Sequence, residues 1–252
     1  MNYETITVDV QDYIVTITFN RPEHLNAFNI QMIREFDYLW RTIRSDDLVR
    51  VIVITGKGRA FSIGRDAQEM ASTPREELNP LGKQPIELLS PKWQGVWKPV
   101  IAAVNGLCGA SGLYWVNEAD IVIASTDAQF YDSHINIGAP ALNEVLGLAR
   151  RIPIGEATRL ALLSLDERMS AQRAHQIGLV SEIVPAEELL DRARYLAQLI
   201  AAKSPVAVQT TVRGTWEAFG LDRQEAYSRV GAWRTGPEGL YPAPPRITTM
   251  VR

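Results

Sequence analysis

An α/β fold with a helical extension at its C-terminal end is what this sequence predicts. Three observations carry the prediction. Short apolar runs dense in β-branched residues recur through the first half, amphipathic stretches alternate with them, and the last third shows helical patterns. The chain has 252 residues, enough for one large domain or two small ones. Apolar residues make up 46% and charged residues 22%, a globular balance that excludes a disordered or fibrous chain. With 26 Lys+Arg, 29 Asp+Glu and a formal net charge of -3, it has no global attraction to a polyanion, so nucleic acid is not an expected partner. One cysteine, Cys108, excludes an intrachain disulfide framework and a multi-cysteine metal site. No apolar run spans a bilayer, and the start Met1-Asn2-Tyr3-Glu4 has no export-signal character. The expectation is a cytoplasmic protein with no membrane partner.

In chain order, Tyr3 to Val10 and Ile14 to Phe19 alternate apolar and polar residues, and Gln11-Asp12 between them predicts a hairpin. Asn20-Arg21-Pro22 breaks the run. A helix over Ile30 to Ser45 follows, with Phe28, Met32, Phe36, Leu39, Trp40 and Ile43 on one face at spacings of three and four. Val49 to Thr55 is a β-branched strand closed by Gly56-Lys57-Gly58. A short helix is expected from Asp66 to Ala71. Four prolines between Ser72 and Pro91 predict an irregular stretch with at most a short helix around Ile86 to Leu89, suited to a pocket wall.

Pro99 opens the strand Val100 to Val104. Asn105 to Ser111 reads as a small-residue loop, followed by a helix from Ala110 to Asn117, a strand from Asp120 to Ala124, and a further short strand at Ala128 to Phe130. Helices are expected over Leu142 to Arg150, Gly155 to Leu165, and Ala171 to Ile177, the last capped by Ser170 and closed by Gly178. Leu179 to Val184 is extended. A long helix follows over Pro185 to Lys203; Ser204-Pro205 restarts the pattern for Val206 to Phe219, and Asp222 to Trp233 completes it. The expected division is a core over residues 1–190 and a helical region over 191–252.

Three segments carry a family resemblance. Gly58-Arg59-Ala60-Phe61-Ser62-Ile63-Gly64-Arg65-Asp66 is one. Lys98-Pro99-Val100-Ile101-Ala102-Ala103-Val104-Asn105-Gly106, continuing to Asp120-Ile121-Val122-Ile123-Ala124, is another. Arg21-Pro22-Glu23-His24-Leu25-Asn26-Ala27 is the third, and Gly178-Leu179-Val180 with Val184-Pro185 extends the match. Together they resemble the crotonase, or enoyl-CoA hydratase/isomerase, superfamily in order and over nearly the whole chain. The resemblance implies a crotonase-like spiral of ββα units whose C-terminal helices mediate trimerisation, with trimers often pairing into hexamers. It implies an acyl-CoA thioester as substrate and no tightly bound cofactor. Its carbonyl oxygen would sit between the backbone N–H groups of Arg65 and Ser111, in an oxyanion hole. Fixed N–H donors stabilise an enolate oxygen without solvent reorganisation, and the helix start near Ala110 would add its positive end. The same resemblance puts Glu23, His24, Ala27, Ser62, Gly64 and Asp66 around the coenzyme A moiety.

The departures matter for the chemistry. The resemblance implies two catalytic glutamates, and this chain carries Tyr114 and His134 at their positions. Histidine takes or gives a proton near neutral pH, and tyrosine donates a hydrogen bond, or a proton when its pKa is lowered. His134-Ile135-Asn136-Ile137-Gly138 also resembles superfamily members that cleave β-diketones without CoA. In those an acidic residue downstream orients the histidine; the matching position here is Asn143, with Glu144 beside it. Asp132, two residues before His134, could hydrogen-bond to it or sit on the surface. Arg65 could pair with a substrate carboxylate or phosphate, or with a neighbouring acid. Asp66 is read as fixing its own loop, and Glu238 as a residue that could reach an active site in its own or a neighbouring subunit. Three dispersed histidines give no metal-site spacing, and no metal is predicted.

Three readings follow. The first is an atypical enoyl-CoA hydratase/isomerase working through an enolate, with His134 as acid/base and Tyr114 assisting. The second is a CoA-independent β-diketone hydrolase with His134 activating water. The third is a non-catalytic homologue retained for binding or assembly.

Overall fold

The structure, a computed structural model, describes residues 2–74 and 76–234. Strands β1 (Ile6–Gln11) and β2 (Ile14–Phe19) form an antiparallel hairpin. Its turn residues Asp12 and Tyr13 both take left-handed φ values, 51° and 66°, the twist that a two-residue hairpin requires. A 3₁₀ turn over Pro22–His24 leads to helix α1 (Ile30–Arg44), whose first turn is capped by Asn29 accepting from the Met32 N–H at 2.9 Å. Three consecutive units then repeat one plan. β3 (Val51–Gly56) continues into β4 (Ala60–Ser62), followed by α2 (Ala67–Ser72) and α3 (Pro85–Leu89). β5 (Val100–Val104) continues into β6 (Leu107–Gly109), then a 3₁₀ turn over Ala110–Gly112 and α4 (Leu113–Asn117). β7 (Ile121–Ser125) continues into β8 (Gln129–Tyr131), then a 3₁₀ turn over Ile135–Ile137, α5 (Asn143–Ala149) and α6 (Ile154–Leu163). β9 (Met169–Ser170), α7 (Ala171–Gln176) and β10 (Glu182–Val184) close the body. Helices α8 (Leu189–Ala201), α9 (Pro205–Ala218) and α10 (Arg223–Arg234) follow.

Each unit places its first strand in a six-stranded sheet of order β1-β2-β3-β5-β7-β10 and its second in a four-stranded sheet of order β4-β6-β8-β9. The inner strands of the large sheet are parallel and almost wholly buried, which is why they read as continuous apolar runs. This is the expected spiral of ββα units. Of the short second strands, β8 answers to the strand expected at Ala128 to Phe130, whereas β4 and β6 were not expected, because three residues are too few to establish a period of two. The helix expected from Ala110 is also corrected. Ala110 sits at φ 46° and opens a 3₁₀ turn, so the α-helix starts at Leu113 and is only 5 residues long.

One face of the large sheet packs Ile52, Ile54, Val100 and Ala102 against α1 and an aromatic group around Trp115. Phe19 lies 4.5 Å from the Trp115 ring centroid and Phe28 5.8 Å, the latter edge to face. The other face packs Val51, Val53, Ile101, Ala103 and Ile123 against Leu189, Ala193, Ala197 and Ala201, one residue per turn of α8. Residue 190 lies in helix α8, whose buried face covers the sheet, and α9 starts beyond Ser204.

One buried carboxylate pins the chain's start to α1. Glu35, fully buried, accepts from the Glu4 N–H at 2.7 Å, the Thr5 N–H at 3.1 Å, the Thr5 hydroxyl at 2.6 Å and Gln31 Nε2 at 3.0 Å. Replacing Glu35 by Ala strands buried donors, and the expected loss is about 3 kcal/mol in a urea unfolding experiment.

Candidate active site

The site forms where the ends of β4 and β6 lie side by side. After β4 the chain makes a bridge between Phe28 and Arg65: the Phe28 N–H donates to the Gly64 carbonyl at 2.8 Å, and the Asp66 N–H to the Phe28 carbonyl at 2.9 Å. In such a parallel bridge the Gly64 carbonyl and the Asp66 N–H serve one side, and the Arg65 N–H faces the other, the side of β6. There Gly64 packs so closely on the next segment that a Cβ would stand 2.9 Å from the Ser111 nitrogen. On the facing segment, a Cβ at Gly112 would stand 2.3 Å from the Ser62 carbonyl oxygen. The residues at 64–65 and 111 are thus held against each other by backbone contact.

Ser111 leads to the titratable groups. Its hydroxyl donates to Glu144 Oε1 at 2.8 Å. Glu144, 3% exposed, lies 3.9 Å from His134 Nε2. On the other side of the ring, His134 Nδ1 sits 3.0 Å from Asp132 Oδ2, and Asp132 Oδ1 accepts the His134 backbone N–H at 2.7 Å. The Asp132 side chain is fully buried, and the His134 side chain is 22% exposed. Asp132 is held in turn by the Ser164 hydroxyl, which donates to its backbone carbonyl at 2.8 Å. The bond to Asp132 raises the His134 pKa above the ordinary histidine value, against burial, with the charges of Asp132 and Glu144 adding to the rise. Tyr114 completes the group: its hydroxyl lies beside Ser111, Asn143 and Glu144, and burial, then the Glu144 charge, push its pKa up to about 12. It is a hydrogen-bond donor at neutral pH and does not ionise.

The structure therefore brings together Arg65, Ser111, Tyr114 and His134 as expected neighbours and supplies two carboxylates beside them. Asn143 does not orient the histidine; it reaches Tyr114, and Asp132 holds Nδ1 from the upstream side. Glu144 turns inward because it shares a helix face with buried Leu148, one turn on. That spacing was visible in the sequence and marks Glu144 as the site residue that the reading missed. Asp132, His134 and Glu144 also offer one ligand atom each within 4.8 Å of one another.

The remaining expected site residues divide by burial. Glu23 and His24 are exposed on the 3₁₀ turn, 4.0 Å apart. Ala27 is buried. Ser62 is fully buried and donates to the Asn26 carbonyl at 2.8 Å, so its hydroxyl serves the loop. Asp66 fixes its loop as expected: it caps α2 and pairs with Arg21 at 2.8 Å. Burial would raise its pKa, but Arg21 and the α2 amides hold it below the carboxylate range. Arg21, a further residue missed, also donates to the Ala27 carbonyl at 2.5 Å and ties the third family motif to the site loop. The Arg65 guanidinium bonds the Leu78 carbonyl, and burial lowers its pKa. Cys108 is fully buried, and desolvation pushes its thiol pKa up, which removes it as a nucleophile. Glu238 lies outside the described residues.

A cavity of about 590 Å³ adjoins this group on the far side of Tyr114 and Asn143, between α4, α5 and α9. No helix among the described residues is long and apolar enough to cross a membrane.

A two-sheet ββα spiral with paired backbone segments beside an acid/base cluster defines the class of crotonase-fold enzymes. The sequence profile described as Enoyl-CoA hydratase/isomerase matches residues 9–229, and the chain belongs to that family. Among its relatives, the (E)-benzylidenesuccinyl-CoA hydratase of Thauera aromatica is 33% identical over 208 residues, covering 82% of this chain and 80% of that protein. The short-chain-enoyl-CoA hydratase of Clostridium acetobutylicum is 31% identical over 215 residues, covering 83% and 80%. A crystal structure of an enoyl-CoA hydratase/isomerase from Mycobacterium paratuberculosis superimposes with a TM-score of 0.85 at 37% identity, covering 92% of this chain and 90% of that one.

Proposed function

We propose that the protein acts on an acyl-CoA thioester through an enolate, in an atypical hydratase/isomerase reaction. The observation that carries this reading is the continuous row Ser111–Glu144–His134–Asp132 beside the apposed backbone of residues 64–65 and 111. In it the Arg65 and Ser111 N–H groups hold the thioester oxygen as negative charge develops there. Glu144 takes a proton from the substrate or from water. His134, kept charged by Asp132, returns one to carbon, and Tyr114 orients Glu144 through its hydroxyl. The coenzyme A moiety runs past Glu23, His24 and Ala27. The assembly is a trimer or a dimer of trimers, and the exposed Ile135, Ile137, Leu142, Ile154 and Leu162 on and around α5 and α6 are apolar surface that other copies would cover. Sedimentation equilibrium is expected to give three or six times the chain mass.

The test is a panel of CoA thioesters and β-diketones followed by mass spectrometry in D₂O. Uptake of deuterium next to the thioester carbonyl, with water added or a double bond moved, is the expected result. If no thioester is bound or exchanged, the reading fails. The Asp132–His134 pair favours one second reading, cleavage of a β-diketone by water activated at a neutral His134, and two smaller products would reveal it.

The two readings differ in the sign of one pH dependence. A proton-donating His134 works only below its raised pKa, so turnover falls as pH rises through that value. A water-activating His134 gives the opposite limb. Asp132→Asn removes the main cause of the rise, and the falling limb is expected to move to lower pH in the kcat profile. The same pair stabilises the fold most fully below about pH 6.5, the unfolded histidine value, and that contribution disappears as pH rises through the folded value.

A further inference from the structure

We infer that the cavity behind Tyr114 receives the acyl part of the substrate and selects an aryl-bearing acyl group over a short aliphatic one. The inference rests on the thioester reading above and names the substrate class within it. Tyr114 and Asn143 line the cavity and also belong to the acid/base group, so an acyl chain whose carbonyl sits at residues 65 and 111 has this space next to it. Its volume, about 590 Å³, is that of a pocket for a drug-sized ligand and leaves most of the space unfilled around a four-carbon chain.

The walls decide between ring and aliphatic tail. Besides Tyr114, the cavity is lined by Trp93, Trp216 and Phe219. Two of these rings are fixed by cations: Lys92 Nζ lies 5.6 Å from the Trp216 ring centroid, and the Arg150 guanidinium carbon 4.9 Å from that of Phe219. Trp216 is further held by its Nε1–H, which donates to Asp120 Oδ1 at 2.6 Å. Rigid aromatic faces favour an offset or edge-to-face ring, which gains beyond the area it buries. The charged wall residues are already partnered. Asp120 pairs with Lys92 at 2.8 Å, Glu118 accepts from Ser90 at 2.8 Å, and Arg150 and Arg151 donate to the Phe219 and Ala119 carbonyls at 2.9 and 2.7 Å. The two acids and two arginines of the wall balance in charge, so the wall as a whole does not call for a charged acyl group. The relatives' names span both an aryl and a short-chain substrate, so family membership leaves the choice open.

The experiment measures binding of two saturated thioesters that cannot turn over, 3-phenylpropanoyl-CoA and butanoyl-CoA, with decanoyl-CoA and free CoA as references. By isothermal titration, 3-phenylpropanoyl-CoA is expected to bind about tenfold or more tightly than butanoyl-CoA, and more tightly than decanoyl-CoA. Two variants fill the cavity from opposite walls, Thr215→Trp from α9 and Leu146→Trp from α5, both at exposed positions. In whichever of them retains a cooperative melt, the phenylpropanoyl preference is expected to fall to about onefold. Equal binding of the aryl and butanoyl esters, tighter binding of decanoyl-CoA, or a preference unchanged by both substitutions overturns the inference while leaving the thioester reading standing. If neither the thioesters nor CoA bind, the thioester reading itself is overturned.

Discussion

His134→Ala is expected to lower kcat by roughly 10³-fold, with the Kd for a non-reacting thioester changed by less than about threefold. The imidazole is the one titratable side chain of the cluster that solvent reaches while a buried carboxylate fixes its opposite nitrogen. Removing it deletes a proton carrier and leaves the backbone donors in place, so the loss falls on the chemical step. A thousandfold loss is about 4 kcal/mol of transition-state stabilisation. The structural consequence is small in comparison. His134 sits at the start of a surface 3₁₀ turn, and its backbone bonds to Asp132 and Ala139 do not depend on the ring. Stopped-flow or steady-state assays on the best thioester of the panel, paired with a thermal melt, separate the two effects. A variant with wild-type turnover would return the protein to the non-catalytic class, in which the cluster is a satisfied polar network. A variant with lost turnover and lost thioester affinity together would move His134 from the chemistry to the binding of substrate.

Much of the frame behind this prediction was legible in the sequence. Val51 to Gly56 and Val100 to Val104 alternate between two buried faces, and their β-branched density made them strands at sight. Helix α1 announced itself through Met32, Phe36, Leu39, Trp40 and Ile43. The apposed segments at 64–65 and 111–112 were legible through the family resemblance and the small residues that close backbone contact demands. What the sequence withheld was of two kinds. The second sheet is made of strands of two or three residues, of which only the one near Ala128 to Phe130 showed in the sequence, because in the others the signal is tertiary pairing. The acid/base cluster joins residues from three places: Ser111 after β6, Asp132 and His134 after β8, and Glu144 on α5. Matching the family position placed the orienting group at Asn143, while the local spacing left Asp132 as a possible partner; the fold uses Asp132, two residues upstream, and lets Glu144 enter from the position beside Asn143. The cavity was hidden for the same reason, since its aromatic walls come from residues 93, 114, 216 and 219.

Gly64→Ala is expected to reduce kcat/KM by roughly 10² to 10³ with the fold retained, the range for loss of one oxyanion-hole donor. Two effects coincide at this glycine. Its φ of 96° is a conformation that an L side chain rarely adopts, so any Cβ strains the loop. The Cβ would also stand 2.9 Å from the Ser111 nitrogen and 3.0 Å from the Ala110 Cβ, with the Gly109 carbonyl oxygen at 3.3 Å. None of these neighbours is the free end of a flexible side chain, so the two backbone segments must separate. Separation moves the Arg65 and Ser111 N–H groups relative to each other, and a preorganised pair of donors loses its value when either is displaced. The strain costs about 1–3 kcal/mol of stability, small enough for a folded enzyme to be assayed. The comparison that isolates the geometry is Ser111→Ala, which removes the hydroxyl bonded to Glu144 and keeps the N–H. If that substitution matches Gly64→Ala in its effect, the hydroxyl and not the amide carries the role of Ser111. If Gly64→Ala leaves kcat/KM unchanged, the apposed backbone is a packing feature and the thioester oxygen is held elsewhere.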